Sequence, residues 1–365
     1  MNYHKFQLYL VILLIPIMQA SCLLMSKSGK INMEKISQQI IENQTLIKES
    51  PFIIRQFSPY LNNQWIGNAV SYGCYRKGQA PDKNGPSAEQ ILEDLNIIKQ
   101  YWQLIRIYGA DDDARRVLDV IKTNKLPIKV MLGVWVANEE KTGQKESNLK
   151  QVLCSIELAH QYKDIITAIN VGNESQVFWS FHKMDPQKLI YYIRAVRNNT
   201  TIPVTSADDY NFWNKAESQK IAEEIDFIVT HIYPLWNGKT LDIAFDWFDS
   251  VYKDIQSKHP DKIIVIGETG WATEYNPSKN GPGEQGSLVK DRVDLAAQEE
   301  YLIKHNKWVN TNKVTTFLFE AFDEPWKGGG ENSPPEEIEK HWGVFYENRT
   351  PKESFLNYLK HKNNN

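Results

Sequence analysis

The sequence predicts an α/β fold, a single (β/α)8 TIM barrel, and three observations carry that expectation. Short apolar runs recur roughly every 25 to 50 residues from Ile66 to Phe319, each ending in polar, glycine or aromatic residues. Longer amphipathic segments separate them, as helices separate the strands of a parallel sheet. Eight such units fit within about 300 residues, the number that a closed barrel needs. An open doubly wound sheet would place a glycine-rich phosphate loop after its first strand. Here that strand runs into Tyr72-Gly73-Cys74-Tyr75-Arg76-Lys77-Gly78, which lacks the spacing.

In chain order, Met1 to Met18 carry His4 and Lys5 and then an apolar run from Leu8. The run is too short to span a bilayer and suits the core of a secretory signal. Gln19-Ala20-Ser21-Cys22 follows. This stretch resembles a bacterial lipoprotein signal, which implies a signal peptide over residues 1–22, a lipidated Cys22 and a place in the cell envelope. Cleavage after Ala20, giving a secreted or periplasmic protein, is the alternative. Residues 23–60 are polar and read as a tether with a short helix. Residues 61–362 read as one catalytic domain, with no composition break to divide them.

The strand candidates are Ile66–Tyr72, Leu104–Tyr108, Ile128–Val134, Ile165–Val171, Val204–Ala207, Phe227–Ile232, Ile263–Gly267 and Thr315–Phe319. Helices are expected between them, among others over Ser87–Tyr101, Asp111–Thr123, Asn148–Tyr162, Pro186–Asn198 and Asp294–Val309. Ser87 stands at an N-cap position with Gln90 three residues on, the pattern of a capping box.

Composition narrows the function. The 365 residues carry a formal net charge of −3, so no basic field invites nucleic acid. A membrane partner is expected only through a lipid anchor, and the chain is expected to be a monomer. Beyond Cys22 only Cys74 and Cys154 remain, too few for a disulfide framework. No Cys/His cluster has zinc spacing and no serine sits in a nucleophile elbow, so neither metal nor cofactor is expected. The 11 tryptophans suit a flat apolar ligand such as a sugar face.

The chemistry gathers where the strands end, since barrel active sites lie at the C-terminal rim. Ile263-Ile264-Val265-Ile266-Gly267-Glu268-Thr269-Gly270-Trp271 places a carboxylate at the tip of a strand buried on both faces. An unpaired buried carboxylate is costly, so Glu268 reads as a reactive group rather than as packing. The other strand ends bring Tyr72 and Tyr75, Arg106 and Tyr108, Trp135, Asn173 and Glu174, Asp208 and Asp209, His231 and Tyr233, and Glu320 with Glu324. Two glutamates, ending the fourth and seventh strands, suit a general acid and a nucleophile.

Val171-Gly172-Asn173-Glu174 and Gly267-Glu268-Thr269-Gly270-Trp271 resemble the two motifs of glycoside hydrolase family 17, the β-1,3-glucanases. Ile105-Arg106-Ile107-Tyr108, His231-Ile232-Tyr233-Pro234 and the run from Phe319 to Lys327 support the likeness, which extends from about Ile66 to Phe355. After Trp271 the chain has Ala272-Thr273 where the family often has Pro-Ser.

The resemblance implies a retaining hydrolase of β-1,3-glucan, with Glu174 as acid/base, Glu268 as nucleophile and their carboxyl groups about 5–5.5 Å apart. Asn173 would bond the sugar 2-hydroxyl and Tyr233 would donate to Glu268. Glu324 and Lys327 would support the site. Glu320 is a further candidate whose alternative is an ion pair with Arg106 or another base. Arg106, Tyr108 and Tyr75 are expected to border the site, and Trp236, Trp271 and Trp326 are candidate stacking platforms. Asp208 and Asp209 could bind sugar hydroxyls or cap a loop, with one of them expected at the sugar, and His231 reads as a barrel histidine rather than a catalyst. A β-1,3-glucan transglycosylase on the same residues, an enolase-like enzyme gathering the strand-end carboxylates around Mg²⁺, and a non-catalytic surface glucan-binding protein are the competing readings. Endo action is expected over exo.

Overall fold

The computed structural model describes residues 32–42, 46–81, 83–276, 288–328 and 337–363. Cys22 and the apolar run before it lie outside the described residues. Eight parallel strands close into a barrel: β1 (Asn68–Ser71), β2 (Leu104–Ile107), β3 (Lys129–Val134), β4 (Ile166–Asn173), β5 (Val204–Asp209), β6 (Ile228–His231), β7 (Ile264–Thr269) and β8 (Thr316–Leu318). Closure comes from β8, which pairs with β1 in the register Thr316↔Asn68 to Leu318↔Val70. The expected strands all form.

Strand alternation explains how one chain fills the barrel and arms its rim. Inward-facing residues near the N-terminal end are apolar: Ala69, Leu104, Met131, Ala168, Ala207, Val229, Val265 and Phe317 form one buried cluster. Two residues further along several strands the same face turns polar. On β2, Leu104 is followed by Arg106; around β6, Phe227 and Val229 are followed by His231 and Tyr233. The lower layer supplies hydrophobic burial and the upper layer carries the chemistry.

The barrel's N-terminal end is closed by the chain that precedes it. A short hairpin pairs Tyr60 with Trp65, and just before it Phe57 enters the interior cluster and stacks on Phe227 at 4.6 Å. Asp226 receives the Arg55 backbone N–H at 2.7 Å, and Arg197 pairs with Asp226 at 2.5 Å. Residues 46–59 are therefore docked against the barrel, so the tether expected up to residue 60 does not extend that far. The expected short helix is Met33–Glu42.

The Ser87 capping box forms, with Gln90 N–H donating to Ser87 Oγ and Ser87 N–H to Gln90 Oε1. The helix expected from Asn148 starts earlier, at Gln144 after Gly143 with φ +83°. Asn148 sits a turn inside it, where its amide grips both backbone groups of Ala137 instead of capping. Cys74 and Cys154 are buried and not disulfide-bonded. Among the described residues no helix is long and apolar enough to cross a membrane.

Candidate active site

Both strand-tip glutamates follow an irregularity in their strand. Along β4 and β5 the register runs Asn170↔Thr205 and then Asn173↔Ala207, one residue more on β4. Along β6 and β7 it runs Thr230↔Ile266 and then His231↔Glu268, one residue more on β7. Such bulges re-aim the side chains beyond them. Gly172 takes up the first bend with φ +81°, and Glu174 itself sits at φ +49°. A non-glycine residue in that left-handed region carries backbone strain of the sort that collects at functional sites.

Glu268 is held from three sides. Arg106 Nη1 donates to its Oε1 at 2.6 Å, and the Tyr233 hydroxyl donates to its Oε2 at 2.9 Å. His231 Nε2 stands 3.4 Å from Oε1. Burial alone would raise the carboxyl's pKa. The His231 imidazole beside it, the Arg106 guanidinium and the two hydrogen bonds outweigh it and hold Glu268 below the usual carboxylate range. Tyr233 is pushed well above its ordinary value by burial and by the neighbouring Glu268 charge, so its proton stays available for donation.

His231 is the bridge across the site. Its Nδ1 lies 3.0 Å from Glu174 Oε1 while Nε2 faces Glu268. One fully buried imidazole therefore touches both glutamates. Gly267 makes room for it: a Cβ there would stand 3.1 Å from His231 Cδ2 and 2.4 Å from a Val229 methyl.

Arg106 also fixes Asn173, donating from Nη2 to Oδ1 at 2.6 Å. That leaves the Asn173 amide nitrogen as the group free to act as a donor. Tyr108 accepts from Arg106 Nη1 at 3.2 Å and lies under its guanidinium.

An open cavity of about 510 Å³ lies over these groups. Glu174, Glu268, Tyr233 and Trp236 line it, with Phe178 and Trp179 from the loop after β4 and Asp209 and Asn211 from the end of β5. Phe319, Glu339 and Trp342 complete the β8 side, and Asn237 and Leu288 the side between. No group of three or more His, Cys, Asp or Glu among the described residues is arranged to hold a metal ion.

The profile of the BtgE/BtgC glycoside hydrolase domain matches residues 69–343, from the first barrel strand to the loop that carries Trp342. The chain belongs to that family. A probable glucan endo-1,3-beta-glucosidase btgC of Aspergillus terreus is 29% identical over 281 residues, which cover 72% of this chain and 41% of that protein. This BtgE/BtgC-type chain thus spans about two fifths of that relative's length. Among solved structures, an endo-laminarinase from Formosa superposes with a TM-score of 0.69 at 23% identity, over 81% of this chain and 88% of that one. A glycoside hydrolase family 17 beta-1,3-glucanosyltransferase from Rhizomucor miehei gives 0.62 at 24% identity, over 79% and 96%. These structures share the barrel fold, and the family 17 resemblance read from the two motifs holds.

Within the BtgE/BtgC frame, several expected site residues take other places. Trp271 is 1% exposed; its indole packs on Tyr301 and donates to the Arg292 carbonyl, so it is core and no sugar platform. Asp208 is buried, with Oδ2 accepting Gln176 N–H and Oδ1 accepting Asp209 N–H. It clamps the loop after Glu174 and does not line the cavity; its neighbour Asp209 does. Burial raises Asp209 to about 7.

Glu320 does not pair with Arg106, whose charge goes to Glu268. Lys327 Nζ meets both Glu320 oxygens at 2.8 Å and Glu324 Oε2 at 2.7 Å. Burial and the Glu324 charge push Glu320 well up, while against its own burial Glu324 is held down by Lys327, Glu320 and the Trp326 indole. Trp326 and Tyr75 lie edge to face beside that cluster, with the Tyr75 hydroxyl donating to Asp113. Neither lines the cavity, whereas Trp236 does.

Among the cavity residues that escape the sequence, three matter most. Glu339 lies on the loop beyond β8, partly buried, and burial with the nearby Glu174 and Glu268 charges raises it to about 7. Trp342 packs against Tyr233 and Trp236. Phe178 projects from the loop after β4. None ends a strand, so the rule of reading strand tips passes over them. His231 was legible as a position but not as a bridge.

Proposed function

We propose that this protein hydrolyses β-1,3-glucan by double displacement with retention, Glu174 serving as acid/base and Glu268 as nucleophile. The observation that carries the reading is the unequal treatment of the two glutamates. Glu268 is buried and kept ionised by Arg106, Tyr233 and His231, as a nucleophile must be. Glu174 has 28% of its side chain exposed towards the cavity, where a leaving group can reach it.

The residues divide the work as follows. With the imidazole proton on Nε2, directed at Glu268, Nδ1 of His231 accepts the hydrogen bond of a protonated Glu174. That is the arrangement glycosylation needs. Glu174 gives its proton to the departing glycosidic oxygen as Glu268 attacks the anomeric carbon. The Asn173 amide donates to the 2-hydroxyl of the sugar, a contact that strengthens at the oxocarbenium-like transition state. Ester formation removes the charge on Glu268. Glu174, now ionised, then takes the proton of the incoming water.

The β-1,3 linkage and endo action are supported by the names of the Aspergillus terreus relative and the Formosa enzyme. Release of reducing ends on laminarin, cellulose, lichenan and mannan tests the substrate. Laminarin is expected to be cleaved to a ladder of oligosaccharides. Activity confined to cellulose or mannan would refute the assignment.

A further inference from the structure

From this proposed glycosidase reading, on which it rests, we infer that Phe178 is the acceptor-side platform of the cleft. Its ring stacks on the glucosyl unit that leaves in the first step and that can re-enter in the second.

Chemistry fixes which side of the cavity that is. The general acid must touch the oxygen linking the glycosyl unit bound to Glu268 to the unit that departs. The departing sugar therefore lies beyond Glu174 as seen from Glu268. The barrel order places β4 and β5 together there, with β7 and β8 on the far side. Phe178 follows Glu174 by four residues on the loop leaving β4 and lines the same cavity.

The loop is built to present this ring. Val177 and Met184 are buried beneath it, at 4% exposure each. Asp208 takes the Gln176 N–H at 2.8 Å, and Ser175 O takes the Met184 N–H at 2.9 Å. Trp179 stands against Phe178 edge to face at 4.9 Å and 85°. On this anchored loop Phe178 is nevertheless 77% exposed. A single exposed phenyl is ordinary on a protein surface. One braced by a tryptophan and pinned beside the general acid is placed for a flat apolar sugar face. Phe181, in the same loop, is 94% exposed and does not line the cavity, which makes it the natural control.

The platform would also set the fate of the intermediate. When a glucan occupies it, that chain's 3-hydroxyl attacks the anomeric carbon. The new C1–O3 bond forms as the bond from C1 to Glu268 breaks, and Glu174 takes the hydroxyl proton. Water does the same when the platform is empty. Occupancy thus divides turnover between transfer and hydrolysis.

The test compares laminarihexaose, which fills the acceptor side, with laminaritriosyl fluoride, which does not. Phe178→Ala should lower kcat/KM on the hexaose about tenfold, the scale of one lost ring contact, and leave the fluoride unchanged. With the fluoride as donor, about ten times more laminaritriose should be needed to divert half of the product from hydrolysis to transfer. Phe178→Trp should restore both values and Phe181→Ala should alter neither. Equal losses on both reagents, or no loss on the hexaose, would overturn the platform while leaving the glucanase reading intact. A wild type inert towards laminarin and the fluoride alike would overturn that reading and the platform with it.

Discussion

Glu268→Ala should lower kcat on laminarin by on the order of 10⁴-fold or more, because it deletes the atom that bonds to the anomeric carbon. The loss should be chemical and partly reversible. Added azide can occupy the space of the missing carboxylate and attack from the same face, giving the inverted α-glycosyl azide. Folding needs its own check, since the substitution leaves Arg106 buried without its anion, a defect worth about 3–5 kcal/mol in comparable sites. Glu268→Gln keeps the shape and an acceptor oxygen for Arg106, and its amide NH2 can donate to the Tyr233 hydroxyl, which turns from donor to acceptor. It should match the alanine variant in lost turnover and exceed it in thermal stability. Retention of more than about a hundredth of wild-type kcat in a folded Glu268 variant would remove it from the nucleophile role.

Glu174→Ala should cost less and should discriminate between substrates. General acid–base assistance contributes about 10²–10⁴-fold, so laminarin turnover should fall in that range. An aryl glycoside whose leaving group departs as a stable anion needs no proton, and its first step should be nearly unimpaired. The glycosyl ester on Glu268 should then accumulate as a burst, for want of a base. Azide needs no base, so it should restore turnover and yield the β-glycosyl azide. The two variants give azides of opposite configuration, which separates a missing nucleophile from a missing base. A uniform loss on laminarin and aryl glycosides would instead assign Glu174 a structural part.

The fold was legible because parallel strands buried on both faces are written as continuous apolar runs, and eight such runs occurred at barrel spacing. The two glutamates were legible because each stands directly after such a run with glycine beside it. The limits of that reading have physical causes. Trp271 follows Glu268 in sequence, but the Arg292 carbonyl and Tyr301 draw its ring into the core. Asp208 and Asp209 are adjacent, and strand alternation sends one under the loop and the other into the cavity. A sequence cannot say which without the β4 bulge. Glu320 and Arg106 both end strands, yet each finds a closer partner, Lys327 and Glu268 respectively. Glu339, Trp342 and Phe178 are brought to the cavity by loops, where no periodicity marks a side chain as inward. His231 reads in the sequence as a barrel histidine, and it is fully buried. Its meaning depends on two carboxylates that come from other strands.

The measurement that bears most directly on the central claim is the configuration of the first product. Proton NMR of laminarin hydrolysis, recorded before mutarotation, reads the anomer released. If Glu268 attacks directly across a gap of about 5–5.5 Å from Glu174, the first-formed reducing end is β. An α anomer appearing first would mean that water attacks across a wider gap, and that Glu268 is not the group bonding to the sugar.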